Sequence, residues 1–153
     1  MQVLWFFKMR VKEGTKQKIV FVSGVFDVLH FGHVDFLRRA KSLVGDKGKL
    51  VVAVHDDESV RAHKGADRPI NGLNERVKFL EAIRYVDEVI PWLGWENVAD
   101  LVRDLKPDYI AVSGDEHKRK TISTISTEIG AELIVFPKIP DLSTTKIIKN
   151  LTP

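Results

Sequence analysis

Lys18-Ile19-Val20-Phe21-Val22-Ser23-Gly24-Val25-Phe26-Asp27-Val28-Leu29-His30-Phe31-Gly32-His33 is the stretch that decides how this 153-residue chain folds. Lys18–Val22 is an apolar run of strand length, rich in β-branched residues, as a strand buried on both faces requires. Similar runs recur at Leu50–Val54, Val86–Ile90, Tyr109–Val112 and Glu132–Phe136, five strands in all. Between them, apolar stripes follow a helical period: Val34, Leu37, Ala40 and Val44; Leu73, Val77, Leu80 and Ile83; Val98, Leu101, Val102 and Leu105. Parallel strands need crossover helices and burial on both faces. The alternation therefore predicts an α/β fold: a Rossmann-like open parallel five-stranded sheet with helices on both faces. In such sheets ligands bind beyond the carboxyl ends of the strands, where helix N-termini face a crevice.

Composition narrows the chemistry. With 44% hydrophobic and 29% charged residues, the chain has the apolar content of a folded domain rather than a disordered segment. Residues 18–153 read as that single domain and residues 1–17 as an N-terminal extension. The apolar run Val3–Phe7 is interrupted by Lys8 and Arg10, too early to span a bilayer at about 20 residues. A net charge of +3 suits an anionic small ligand and falls short of a nucleic-acid-coating surface. The absence of cysteine excludes disulfides, thiolate metal sites and a cysteine nucleophile, and a cytoplasmic setting fits it.

The loop after the first strand holds the strongest constellation. His30 and His33 are spaced to share one face at a helix start, and Gly32 between them would let a phosphate approach the backbone closely. Unsatisfied N–H groups and the positive end of the helix dipole lie at the same place. A His-x-x-His metal site lacks an obvious third ligand nearby. The segment is neither a Gly-x-x-x-x-Gly-Lys phosphate loop nor a Gly-x-Gly-x-x-Gly fingerprint. Ser143, Thr144 and Thr145 open a C-terminal helix with Ile147, Ile148 and Leu151 inward, and a hydroxyl-rich helix start is an anion site or an ordinary cap. Lys64 falls in a polar, glycine-bearing loop after the second strand. Arg76, one turn into its helix, opposes the dipole and so points to an anionic partner, or else to a surface ion pair with Glu75 or Asp87.

Gly24-Val25-Phe26-Asp27 followed by His30-Phe31-Gly32-His33 resembles the signature of the cytidylyltransferase-like nucleotidyltransferases. The likeness continues through Lys64-Gly65, Arg68-Pro69-Ile70-Asn71, Asn74-Glu75-Arg76, Arg84–Val89, Ser113-Gly114-Asp115 and Ser143–Ile148, covering Ile19 to Leu151. The His-x-Gly-His element is also similar to that of class I aminoacyl-tRNA synthetases, for which the chain is far too short. Within the superfamily, the chain most resembles the adenylyltransferase half of ADP-heptose synthases and the glycerol-3-phosphate and phosphoethanolamine cytidylyltransferases. The resemblance implies transfer of a nucleoside monophosphate from a nucleoside triphosphate to a small phosphate monoester, releasing pyrophosphate. Mg²⁺ would arrive with the triphosphate, with no protein metal ligand, and enzymes of this group are often homodimers.

The resemblance also assigns roles. His30, His33 and Lys64 would act at the reacting phosphates; Gly24, Val25, Phe26, Asp27, Gly32, Asp115, Ser143, Thr144 and Thr145 would bind the nucleotide; Arg76 would hold the acceptor phosphate. Asp27 would orient its loop or a histidine, Asp115 would lie near the nucleoside, and Lys146 would assist the triphosphate. The charged run Glu116–Lys120 reads either as a flap over the acceptor or as a solvated helix start.

The base is less determined. Related cytidylyltransferases carry Arg-Thr-x-Gly-Ile before Ser-Thr-Thr, but here Pro137–Leu142 contains no arginine. The heptose adenylyltransferases share Gly24–Asp27 and Arg68–Asn71 and lack that arginine, which favours ATP and a sugar phosphate. Ile83–Pro91 is more similar to the glycerol-3-phosphate enzymes, which keeps CTP as an alternative. FMN adenylyltransferases are a third option, with Trp92 and Trp95 either lining a flavin slot or packing at an interface. A non-catalytic nucleotide-binding module is the remaining reading, and it would not demand the histidine pair together with Ser143–Thr145.

Overall fold

The computed structural model describes residues 16–94, 97–114 and 116–151. In it the five apolar runs form one sheet, β1 (Ile19–Gly24), β2 (Lys49–His55), β3 (Glu88–Trp92), β4 (Tyr109–Ser113) and β5 (Glu132–Phe136). The spatial order is β3-β2-β1-β4-β5 and every pairing is parallel. The connections are α1 (Phe31–Ser42), α2 (Asp57–Lys64), α3 (Leu73–Glu81), α4 (Val98–Leu105) and α5 (Glu116–Ile129), and α6 (Thr144–Leu151) follows β5. Segments 1–15, 95–96 and 152–153 and Asp115 lie outside the described residues, so the expectations placed on the N-terminal extension, Trp95 and Asp115 do too.

Alternation along the strands divides the core into two layers. Val20, Val22, Leu50, Val52 and Val54 pack with Leu37 and Ala40 of α1 and Leu80 of α3. Phe21, Val51, Ala53 and Ile110 point the other way, against Val102 and Leu105 of α4 and Ile122 and Ile125 of α5. Most of these side chains are fully buried, each contributing about 1.5–3 kcal/mol of transfer free energy. Such two-faced burial is why the strands read as continuous apolar runs.

The chain winds outward from β1 to β3, then returns to build β4 and β5 on the opposite side, so the switch point lies between β1 and β4. Their pairing covers only Val20↔Tyr109 and Phe21↔Ile110, although β1 continues to Gly24 and β4 to Ser113. The carboxyl ends of the central strands are therefore not laddered to each other, and a cleft opens there.

Three elements differ from the sequence expectation: β3, α2 and α6, in which Leu151, expected to face inward, ends the helix and is 79% exposed. Strand β3 begins at Glu88 rather than Val86, because Val86 N–H bonds Ile83 C=O in a turn and Asp87 N–H bonds Leu50 C=O. Asp87 is further committed to Leu50 N–H (2.7 Å) and Lys41 Nζ (2.6 Å), so laddering starts at Glu88↔Val51. Helix α2 replaces the loop expected around Lys64. Asp56 caps it by accepting from Ser59 N–H (2.9 Å) and Ser59 Oγ (2.6 Å). Asp57 and Glu58 in its first turn and Arg61, His63 and Lys64 in its last complement the helix dipole.

Arg76 requires a correction of role. Its side chain is fully buried and does not reach a ligand-accessible surface. Its Nε donates to Asn71 C=O (3.0 Å), Nη1 to Val25 C=O (2.7 Å), and Nη2 to His55 C=O (2.8 Å) and Asp57 Oδ1 (2.6 Å). The guanidinium is a structural bracket joining the ends of β1 and β2 to the start of α3, and the acceptor-phosphate assignment does not hold. Replacing it removes the donor to two buried carbonyls and a part-buried one, an effect of about 3 kcal/mol. Arg76→Met is expected to lower the urea-unfolding free energy by about that amount; a loss below about 0.5 kcal/mol, the scale of an ordinary surface change, contradicts the bracket.

Candidate active site

The site is built on the loop that leaves β1. A Cβ added to Gly24 would meet the Phe26 ring at 2.8 Å, so glycine is what lets Phe26 fold back over the strand end. Phe26 and Val28 both adopt left-handed backbone (φ 52° and 47°), a conformation unusual for a β-branched residue. Asp27, between them, keeps the loop in this shape. Its carboxylate is 1% exposed and accepts from Ile70 N–H, Asn71 N–H and the Nε and Nη2 of Arg68, all at 2.9 Å. Burial opposes ionisation of Asp27, but the Asn71 and Ile70 N–H groups and the Arg68 guanidinium outweigh it and hold its carboxyl below the usual range. Asp27 thus orients the loop by bonding the 68–71 segment, not a histidine.

His30 is the N-cap of α1. Its Nδ1 accepts from Gly32 N–H (3.1 Å), and His33 Nδ1 accepts from His30 N–H (3.4 Å). This reciprocal arrangement does the work of a Ser/Glu capping box. It also settles the tautomers: with both Nδ1 atoms accepting, each neutral ring carries its proton on Nε2. The rings stack with centroids 3.9 Å apart, and His33 also lies against Phe26 at 5.5 Å. Burial pushes the His30 imidazolium toward deprotonation. Burial, the neighbouring His30 and the Lys64 charge together push His33 down to about 4, against a smaller upward pull from Asp27. At neutral pH the helix start therefore holds two neutral imidazoles.

A cleft of about 310 Å³ opens over this helix start, between the β1 loop, α1 and the segment after β5. Apart from Arg76 and the undescribed Asp115, every residue assigned to the site from sequence lines it. Lys64 reaches it from the last position of α2, and α6 enters through its first turn. Ser143 Oγ caps α6 by accepting from Lys146 N–H (3.2 Å), while Thr144 Oγ1 donates to Asp27 C=O (2.7 Å) and ties the helix to the β1 loop. Gly32 fits closely as well, since a Cβ there would meet the His30 ring at 3.0 Å and Leu142 at 3.1 Å.

Lys146 does not line the cleft; it pairs with Asp141 at 2.5 Å. Trp92 does not line it either, and packs against the second core layer. The Glu116–Lys120 run begins helix α5. The structure adds three cationic side chains that the sequence reading did not assign, Arg39, Arg68 and Lys138. Arg68 stood in a recognised motif, but its partner Asp27 is 41 positions away, and only the fold brings the two together.

A Rossmann-like sheet with a cationic cleft at its switch point, edged by two helix N-termini, defines an α/β protein built to hold an anionic ligand. The chain belongs to the cytidylyltransferase-like family, whose model matches residues 21–150. It is similar to the FAD synthase of Pyrococcus horikoshii, at 41% identity over 91% of this chain and 96% of that protein. It is also similar to the bifunctional protein HldE of Helicobacter hepaticus, at 34% identity over 92% of this chain, which spans only 28% of that protein's length. Among solved structures, the lipopolysaccharide core biosynthesis protein from Thermoplasma volcanium is similar at a TM-score of 0.61 and 30% identity, covering 80% of this chain and 96% of that one. No helix among the described residues is long and apolar enough to cross a membrane.

The histidine environment has a pH consequence. Unfolded, His33 protonates near 6.5; folded, near 4, so between these values the unfolded state binds more protons. Stability is expected to fall by roughly a few kcal/mol as pH drops through that window and to level off, as far as this group contributes, below it. His33→Asn should shrink the slope of unfolding free energy between pH 6.5 and 4, measured by urea titration at each pH. An unchanged slope contradicts the buried neutral imidazole.

Proposed function

We propose that this protein is an adenylyltransferase that joins AMP from ATP to a phosphate monoester. An oxygen of the acceptor phosphate attacks the α-phosphorus, a phosphoanhydride bond forms, and the bond to the β-phosphate breaks to release pyrophosphate. The nucleophile is already an anion at neutral pH, so no general base is needed; positioning and charge stabilisation suffice. The observation that carries this reading is the stacked His30/His33 pair lining the cleft at the start of α1, whose Nδ1 atoms accept backbone N–H groups and so leave Nε2–H as the donor of each neutral ring. Two such donors suit non-bridging α-phosphate oxygens that gain charge in the transition state. The α6 N-terminus with Ser143–Thr145 suits the β- and γ-phosphates that leave.

Mg²⁺ belongs to this reading as part of the substrate, carried on the triphosphate. Among the described residues, the cleft carboxylates are ion-paired: Asp27 with Arg68, and Asp35 with Arg38 (2.7 Å) and Arg39 (2.8 Å). A cytoplasmic homodimer that binds no nucleic acid is also part of the proposal.

FMN stands first among acceptors, because FAD is FMN joined to AMP and the FAD synthase likeness runs over nearly the whole of that relative. A sugar phosphate is the second reading, supported by the HldE likeness, which covers this chain but only a fraction of that protein. The test mixes the protein with Mg²⁺, ATP or CTP, and FMN, sugar phosphates or glycerol 3-phosphate, and measures pyrophosphate. Release is expected with ATP and one acceptor class; release with CTP alone overturns the adenylyl assignment. In the active combination His30→Ala and His33→Ala are each expected to lower kcat about 10²–10³-fold, as removal of an oxyanion donor does. Full activity in both variants rules out the histidine mechanism.

A further inference from the structure

Arg68 is the one cleft arginine held by a fully buried carboxylate. Its side chain is 13% exposed, while that of Asp27 is 1% exposed. Nε and Nη2 of the guanidinium converge on the single oxygen Oδ2 of Asp27. The carboxylate needs nothing more, since Ile70 and Asn71 N–H complete its bonding. The arginine does: its Nη1 has no acceptor among the described residues, and the side chain lines the cleft with His33 and Lys64. A guanidinium locked in this way presents a flat edge of N–H donors at little further loss of side-chain freedom, the arrangement that suits a phosphate oxyanion.

The other arginines are differently engaged. Arg76 spends its donors on carbonyls and Asp57, and Arg39 pairs with Asp35 in the third turn of α1. Direction matters as well, because in-line displacement places the acceptor and the leaving pyrophosphate on opposite sides of the α-phosphorus. With the α6 N-terminus taken for the leaving phosphates, the group opposite it must neutralise a monoester dianion. Thr144 is tied to the backbone of Asp27 and Arg68 to its side chain, so one residue positions both elements at the cleft.

We infer that Arg68, held by Asp27 and backed by Lys64, binds the phosphate of the acceptor and selects for acceptors that carry a phosphate monoester. The inference rests on the adenylyl-transfer reading above. Arg68→Lys keeps a cation beside Asp27 but loses the planar edge. Arg68→Gln keeps an N–H donor toward Asp27 but removes the guanidinium charge. With ATP and whichever acceptor supports wild-type turnover, both variants are expected to raise KM for the acceptor at least tenfold while KM for ATP stays within about twofold; a purely structural role would move both constants or neither. Acceptor KM within twofold of wild type in a folded variant overturns the assignment of Arg68 alone. A wild-type protein that releases no pyrophosphate with any acceptor overturns the functional reading, and this assignment with it.

Discussion

The Asp27 carboxylate is the constraint on which the site depends. A charge with 1% of its side-chain surface exposed is tolerable only if fully hydrogen-bonded, so the fold must deliver its partners from elsewhere in the chain. It does so with one short segment, Arg68 to Asn71, and this requirement draws the crossover after α2 over the mouth of β1. The chain of dependence continues outward. Asn71 C=O receives Arg76, whose other donors fix Val25 and His55, and Asp27 C=O receives Thr144 from α6. The side chains of Asp27, Arg68 and Arg76, with the Thr144 hydroxyl on the Asp27 backbone, thus locate the ends of β1 and β2, the start of α3 and the start of α6 relative to one another. Interactions of this kind are weak evidence for net stability against an apolar alternative, but strongly unfavourable to break singly. Their contribution here is geometric: they hold two left-handed residues, Phe26 and Val28, in a loop that would otherwise relax.

Most of the architecture was legible because its signals are local. Double-sided burial writes itself as runs of Val and Ile, and the helix stripes state which face is inward; the two core layers take up most of those stripe residues, though not Val34 or Val77. The cleft residues after β1 were legible for the same reason, since strand, glycine and paired histidines are adjacent in the chain. Arg76 and Arg68 were not, and the reason is physical. An arginine one turn into a helix gives the same pattern whether it faces solvent or a cage of carbonyls, and the acceptors that decide between these come from Val25, His55, Asp57 and Asn71. Likewise the Asp27–Arg68 pairing spans 41 positions and has no periodic signature. Helix α2 had a readable sign in its Asp56–Ser59 cap, but its single fully buried residue, Val60, leaves no apolar stripe to see.

The same balance explains how a chain of mild net charge carries a strongly anion-directed site. Its excess is +3 overall, yet Lys64, Arg68, Arg39 and Lys138 converge on one cleft together with two helix N-termini. Asp27 and Asp35 offset part of that charge, but each does so through an arginine it holds in place, so what is lost in net potential is returned as fixed geometry.

The histidine pair shows why one residue type serves two ends. Serine or aspartate at the N-cap would satisfy the free N–H groups of α1 at least as well. Neither leaves a ring N–H donor on the far side. An imidazole caps with Nδ1 and keeps Nε2–H for a ligand, and only in its neutral form can it do both, because protonation of Nδ1 removes the acceptor the cap needs. Burial, the partner ring and Lys64 all disfavour the charged form of His33, so the forces that seat the helix also keep its donor in the required state. Capping, tautomer and charge state are thus one condition: an acidic pH that protonates the pair frees the first turn of α1 and changes the donors facing the cleft in the same event.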